Sequence, residues 1–210
     1  MLLPPTCPVC RRPGRAPCAA CESTLRPAPP LPAPPAVDAC RAALAYDEGG
    51  RELVARLKYR NARSSVSWLA RRMARLADRW LTTTAAPDPA WITWAPTTAS
   101  RRRDRGFDQA ELLARAVGRR LGLPCRPLLA RGAGPHQTGR TLAERHSGPT
   151  FTAHRPAPPT VVLIDDVVTT GSTVSAAARA LRSAGAERIL VVAAARTPAR
   201  RRHDTPAPKG

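Results

Sequence analysis

The run VVLI at 161–164 leads straight into two carboxylates, Asp165 and Asp166, and then into a turn of hydroxyl side chains around a single glycine. Four consecutive apolar residues fit a strand covered on both faces. Residues 173–184 then read as a helix that Gly185 ends, and residues 189–195 as a second buried strand. Strand, helix and strand in that order imply a right-handed βαβ unit and a parallel sheet. The main part of the chain is therefore expected to be α/β, a central parallel sheet flanked by helices.

The segment joining this strand to its helix carries a chemistry of its own. In an open parallel sheet, ligands bind outside the carboxyl ends of the strands. A helix N-terminus offers unpaired N–H groups and a positive dipole end, both suited to a phosphate. Gly171 lets the backbone curl close to that anion, and Thr169, Thr170, Ser172 and Thr173 add hydroxyl donors. Asp165 and Asp166 would repel a phosphate, but they can accept hydrogen bonds from a vicinal diol. A phosphate cradle at one end and diol acceptors at the other match ribose 5-phosphate. An ordinary strand–turn–helix with a Thr or Ser cap would not need the paired carboxylates.

Upstream, residues 51–60 read as a short helix and 65–81 as a longer one, with Val66, Leu69, Met73, Leu76 and Trp80 at helical spacing. The run WITW at 91–94 reads as a strand. Residues 108–121 read as a helix stopped by Gly122, and residues 131–160 mostly as loop. Trp68, Trp80, Trp91 and Trp94 sit in apolar periodic segments and are assigned to the core rather than to base stacking.

Six cysteines occur, four of them within fifteen residues: Cys7-Pro-Val-Cys10, seven residues, then Cys18-Ala-Ala-Cys21. Two CxxC pairs this close can close a tetrahedral Zn²⁺ site, and a second pair argues against redox chemistry by the first. Such a module has no sizeable core and should fold only with its metal. Cys40 and Cys125 stand alone and read as small buried apolar residues. The organisation is then a cysteine module at 1–25, a proline-rich linker at 26–36, a main domain at 37–197 and a basic tail at 198–210 expected to be disordered.

With 34 basic against 15 acidic residues the net charge is +19, which suits nucleic acid, phosphorylated ligands or an anionic surface. Only two of the basic residues are Lys, and a surplus of Arg, Ala and Pro also follows from GC-rich coding, so charge alone does not select nucleic acid. Local clusters are the informative part, chiefly RRRDR at 101–105. No apolar run is long enough to span a membrane, and the first residues lack the pattern of a secretion signal, so the expected location is the cytoplasm.

The thirteen residues at 161–173 resemble the phosphoribosyl-diphosphate signature of the type I phosphoribosyltransferases. Together with the CxxC pairs, YDEGGRELVARLKYR at 46–60, RRRDRGFDQAELLAR at 101–115 and HQTGRTLAER at 136–145, the chain is similar to the ComF family, named after a bacterial competence protein of DNA uptake. The resemblance implies a type I phosphoribosyltransferase fold behind a small zinc module. It implies that Asp165 and Asp166 contact the ribose hydroxyls while Val167, Val168, Thr169, Thr170, Gly171, Ser172 and Thr173 wrap the 5-phosphate. The turn around 96–100 would be the pyrophosphate loop, and Arg101, Arg103 and Arg105 could neutralise diphosphate, with Mg²⁺ bound alongside. A flexible loop would lie within 131–147, where this chain continues as HSGPTF, shorter than the family's basic continuation. Phosphoribosyl diphosphate is the implied ligand. Glycosyl transfer to an acceptor is the implied chemistry, with no assigned general base; Glu111 and Glu144 are candidates only. The alternative is a non-catalytic DNA-uptake or nucleic-acid-handling protein on the same fold, with single-stranded DNA or a competence-machinery protein as partner. Self-association is a further open candidate.

Overall fold

The computed structural model describes residues 6–57, 63–84, 89–132 and 149–198. A short helix α1 (Ala19–Thr24) closes the cysteine module. The main domain then runs β1 (Ala39–Ala45), α2 (Glu48–Arg56), α3 (Arg63–Thr83), β2 (Ala90–Trp94), α4 (Ala99–Arg105), α5 (Gln109–Leu121), β3 (Leu129–Arg131), β4 (Phe151–Ala153), β5 (Thr160–Val168), α6 (Ser172–Ser183) and β6 (Arg188–Arg196). Four strands form one sheet in the order β1-β6-β5-β2, every pair parallel. The fold is the expected α/β one, a central parallel sheet flanked by helices and preceded by a four-cysteine cluster.

The two central strands show why continuous apolar runs are needed. Side chains alternate between faces along a strand. Val162 and Ile164 of β5, with Leu190, Val192 and Ala194 of β6, pack under α2, α3 and α5. Val161 and Leu163, with Ile189, Val191 and Ala193, pack under α6 and the small β3–β4 hairpin. All ten of these side chains are fully buried. Trp68, Trp80 and Trp94 are buried in the first of the two layers, and Trp91 packs partly buried against the second.

Several elements lie outside the sequence reading. Strand β1 is ACRAALA, without the β-branched residues that mark a strand, and pairing to β6 imposes its conformation. Helix α4, ASRRRDR, buries no residue and has no apolar face to recognise. The antiparallel pair β3–β4 has three residues per strand, too few for an alternating pattern, and it falls in the stretch read as loop. Helix α2 begins three residues earlier than expected because Asp47 caps it, accepting a hydrogen bond from the Gly50 N–H at 3.1 Å. Strand β5 extends through the two carboxylates to Val168 instead of stopping before them.

The proline-rich segment is not a free spacer. The Arg26 carbonyl accepts from Ala45 N–H at the end of β1, and the Arg196 guanidinium donates to the carbonyls of Leu31 and Pro32. Glu22 of α1 pairs with Arg72 of α3 at 3.3 Å, and Val9 and Leu25 pack against the main core. The cysteine module is thereby docked on α3.

Candidate functional site

Adjacent strands β2 and β5 send the chain to opposite faces of the sheet, β2 through α4 to α5 and β5 to α6. Such a divergence opens a crevice at the carboxyl edge. The two strands also end at different heights. The β2–β5 register closes at Trp94 opposite Ile164, while β5 stays paired to β6 through Asp165, Val167 and Val168. Asp165 and Asp166 therefore stand on a step where β2 has left and β6 still supports them. A cleft of about 490 Å³ occupies this step.

Three groups of residues line it. From β5 and its turn come Asp165, Asp166, Val167, Thr169 and Thr173. From the β2 side come Thr97, Arg101, Arg105, Asp108 and Gln109, and from β3 comes Arg131. Tyr46, Val54 and Ala55 close the third side. Tyr46 is placed by its own N–H, which donates to the Arg196 carbonyl.

The carboxylate pair is held by its own backbone. Asp166 N–H donates to Asp165 Oδ1 at 2.8 Å and Val167 N–H to Asp166 Oδ1 at 2.7 Å. Burial pushes the Asp165 carboxyl well above the usual carboxylate range, and the neighbouring Asp166 charge adds to it. A buried acid of this kind is relieved by hydroxyl donors, which a sugar diol supplies.

Beyond the pair, Val168 packs into the core at 2% exposed and also lines a small concavity over the first turn of α6. Thr170 and Ser172 are linked hydroxyl to hydroxyl at 3.2 Å at the exposed tip of the turn. Gly171 is the N-cap of α6, at φ +82° in the left-handed region, and provides no side-chain cap. A Cβ there would also lie 2.7 Å from Pro34 Cγ. A small concavity of about 20 Å³, lined among others by Thr169, Gly171, Ser172 and Thr173, sits over the first turn of α6. With a glycine cap and positive dipole end, this turn offers backbone N–H groups of the kind that suit an anion.

The opposite wall is cationic. Arg101 and Arg105, one helical turn apart on α4, both line the cleft; Arg103 on the same helix is exposed and does not. Arg105 donates to Gln109 Oε1 at 2.9 Å. Arg131 donates to the Pro96 carbonyl and lies over the Phe151 ring. Burial, and then the adjacent Arg101 cation, draws Arg131 below the usual guanidinium range. Crowded guanidinium groups at one end of a cleft favour a multiply charged anion. Sequence reasoning did not single out Tyr46, Asp108, Gln109 or Arg131 for this wall. Tyr46, Asp108 and Gln109 lie inside the quoted motifs and Arg131 at the start of the expected flexible loop, but nothing in those stretches marks them as facing one cleft. Glu111 is engaged by Arg115 at 2.8 Å and by Arg102 at 3.8 Å and does not line the cleft. The proposed flexible loop lies almost wholly outside the described residues, as do Glu144 and all but the first residue of the basic tail.

The four cysteines of the module converge. Their sulfurs lie within 4.8 Å of one another, with Cys10 Sγ and Cys18 Sγ 3.7 Å apart. Four sulfurs bound tetrahedrally at about 2.3 Å from Zn²⁺ stand roughly 3.8 Å from each other, so the donor set fits that ion. Desolvation would raise Cys7, but N–H groups of Cys18, Cys10 and Val9 outweigh it and bring the thiol down to about 6. Desolvation and the three neighbouring sulfurs push Cys21 up to about 12. Thiols that cannot all ionise together are what a dipositive ion reconciles.

Comparison with known proteins gives a family match to part of the chain and low-identity likenesses among solved structures. Residues 111–209 match the phosphoribosyl transferase domain family. Among solved structures the chain is similar to the allosteric regulatory enzyme of purine biosynthesis, at 17% identity and a TM-score of 0.41, covering 67% of this chain and 30% of that one. It therefore spans less than a third of that enzyme's length. It is also similar to a purine phosphoribosyltransferase from Pyrococcus horikoshii Ot3, at 16% identity and a TM-score of 0.35, covering 62% of this chain and 82% of that one. A hypoxanthine phosphoribosyltransferase from Staphylococcus aureus gives 12% identity and a TM-score of 0.38, covering 63% and 75% of the two chains. No curated protein matches the sequence. Among the described residues no helix is long and apolar enough to cross a membrane.

Proposed function

We propose that the cleft binds phosphoribosyl diphosphate as its Mg²⁺ complex and presents C1 of the ribose to an acceptor. The observation that carries this reading is the step at the end of β5, where buried Asp165 and half-buried Asp166 adjoin a glycine-led helix N-terminus without a side-chain cap. Asp165 and Asp166 accept from the ribose hydroxyls, the turn at 167–173 takes the 5-phosphate, and the guanidinium wall of Arg101, Arg105 and Arg131 faces the diphosphate. In the transfer, the C1–O bond to diphosphate breaks as a bond from C1 to the acceptor nucleophile forms, and diphosphate leaves with the electron pair. The transition state is oxocarbenium-like, so this chain's contribution is to orient the sugar and stabilise the departing anion. The cysteine module holds a structural Zn²⁺ in this reading. Isothermal titration of zinc-loaded protein with phosphoribosyl diphosphate should give saturable binding that weakens without Mg²⁺, and the absence of saturable binding would remove the proposal. A screen of purine, pyrimidine and other nitrogen bases for diphosphate release then identifies the acceptor.

A further inference from the structure

We propose that Asp108 is the positioning residue of the cationic wall: its carboxylate ties the turn after β2 to the start of α5 and so fixes where Arg101 and Arg105 stand. The assignment rests on the diphosphate reading given above.

A helix N-cap uses one side-chain oxygen. Asp108 Oδ1 serves that purpose, accepting from Ala110 N–H at 2.9 Å and Glu111 N–H at 3.4 Å. Its second oxygen is turned elsewhere and accepts from Thr97 N–H at 2.8 Å, eleven residues back along the chain. One carboxylate therefore closes both ends of the excursion that contains α4. Capping alone does not call for this, since a serine with one oxygen caps about as well.

The excursion needs such a tie. Helix α4 buries no residue, so packing does not define its direction. It is set by its ends: Thr98 caps it at one, Gly106 stops it in the left-handed conformation at φ +76° at the other, and Asp108 follows two residues later. Arg101 and Arg105 share a face because they are four residues apart, and that face lines the cleft. If the two ends of the excursion part, α4 keeps only side-chain links to α5, the Arg105–Gln109 hydrogen bond and the exposed Arg102–Glu111 pair, neither of which reaches the β2 end. Asp108 is only 4% exposed, and burial raises its carboxyl above the ordinary range despite the three N–H donors. A carboxyl buried at that cost is explained by the two segments that it joins.

Two substitutions separate the tie from the cap. Asp108→Ser keeps one capping oxygen and loses the reach to Thr97. Asp108→Asn keeps one carbonyl oxygen for the cap and turns an NH₂ group, which cannot accept, toward the Thr97 N–H. Titrations with Mg²⁺ and, in turn, phosphoribosyl diphosphate, inorganic diphosphate and ribose 5-phosphate give the readout. Both variants should bind the two diphosphate ligands about tenfold or more weakly, while ribose 5-phosphate, held by the β5 turn, changes less than about twofold. If either variant fails to fold, the other carries the comparison. Equal weakening of all three ligands means a general structural role and overturns the assignment, as does unchanged affinity for all three. Wild-type protein that binds none of the three removes the phosphoribosyl diphosphate reading and this assignment together. Wild-type binding with unaltered variants removes the assignment alone.

Discussion

At the scale of single residues, the site sets stability against binding. Asp165 carries a carboxyl raised by burial and by Asp166. An acid whose folded pKa lies above its unfolded value holds more protons when folded, so stability falls as pH rises between the two values. The wild-type protein bears that cost at neutral pH and sheds it in acid. Asp165→Asn should therefore be more stable than wild type at pH 7, by roughly 0.5–2 kcal/mol, and the two melting curves should converge as pH falls below the ordinary carboxylate range. The same change removes a charged acceptor and should weaken ribose 5-phosphate binding about tenfold or more. Calorimetric melting across pH, paired with titration, checks both halves. Gly171 is constrained differently, by φ +82° and by Pro34. Gly171→Ala should cost about 1–3 kcal/mol and weaken phosphate binding, as read by urea unfolding and titration.

The elements around the cleft differ in what holds them. The central strands are defined by burial on both faces, whereas α4 and the proline-rich strap are defined by hydrogen bonds at a few points. Arg196, at the end of β6, is buried and holds the strap through the Leu31 and Pro32 carbonyls, while Pro34 of the same strap lies against the Gly171 turn. Arg196→Met keeps much of the apolar length and removes both donors. It should lower stability by about 1–3 kcal/mol and make residues 26–36 more susceptible to limited proteolysis. Unchanged cleavage would show that the strap is held by packing alone. Gly50 marks a second such point: a Cβ there would stand 2.1 Å from the Ala45 carbonyl oxygen, so α2 can approach the end of β1 this closely only without a side chain.

For the whole molecule, the cysteine module and the main domain meet through Glu22 and Arg72, with Arg72 stacked on Trp68 at 4.2 Å. Zinc removal should unfold the module and release those contacts while leaving the sheet intact. Metal analysis should find about one Zn²⁺ per chain, and chelation should lower the melting temperature with little change in far-ultraviolet circular dichroism. The sequence by itself determined the α/β class, the βαβ unit around 161–195, the turn with its paired carboxylates and the four-cysteine donor set. Each is local, written in contiguous apolar runs or fixed spacings, and burial or coordination enforces each without help from distant residues. Tertiary structure decided the rest. Strand β1 is Ala-rich and exists because β6 pairs with it, and α4 has no apolar face and is aimed by its tethers. The cleft gathers Arg101, Arg105, Arg131, Gln109 and Tyr46 from three separated stretches. Their meeting depends on β2 and β5 leaving the sheet on opposite faces, a property of strand order that no window of the sequence contains. In the proposed reading the opening feature of the chain serves a phosphate and a diol, while the surface for the rest of the ligand comes from the fold.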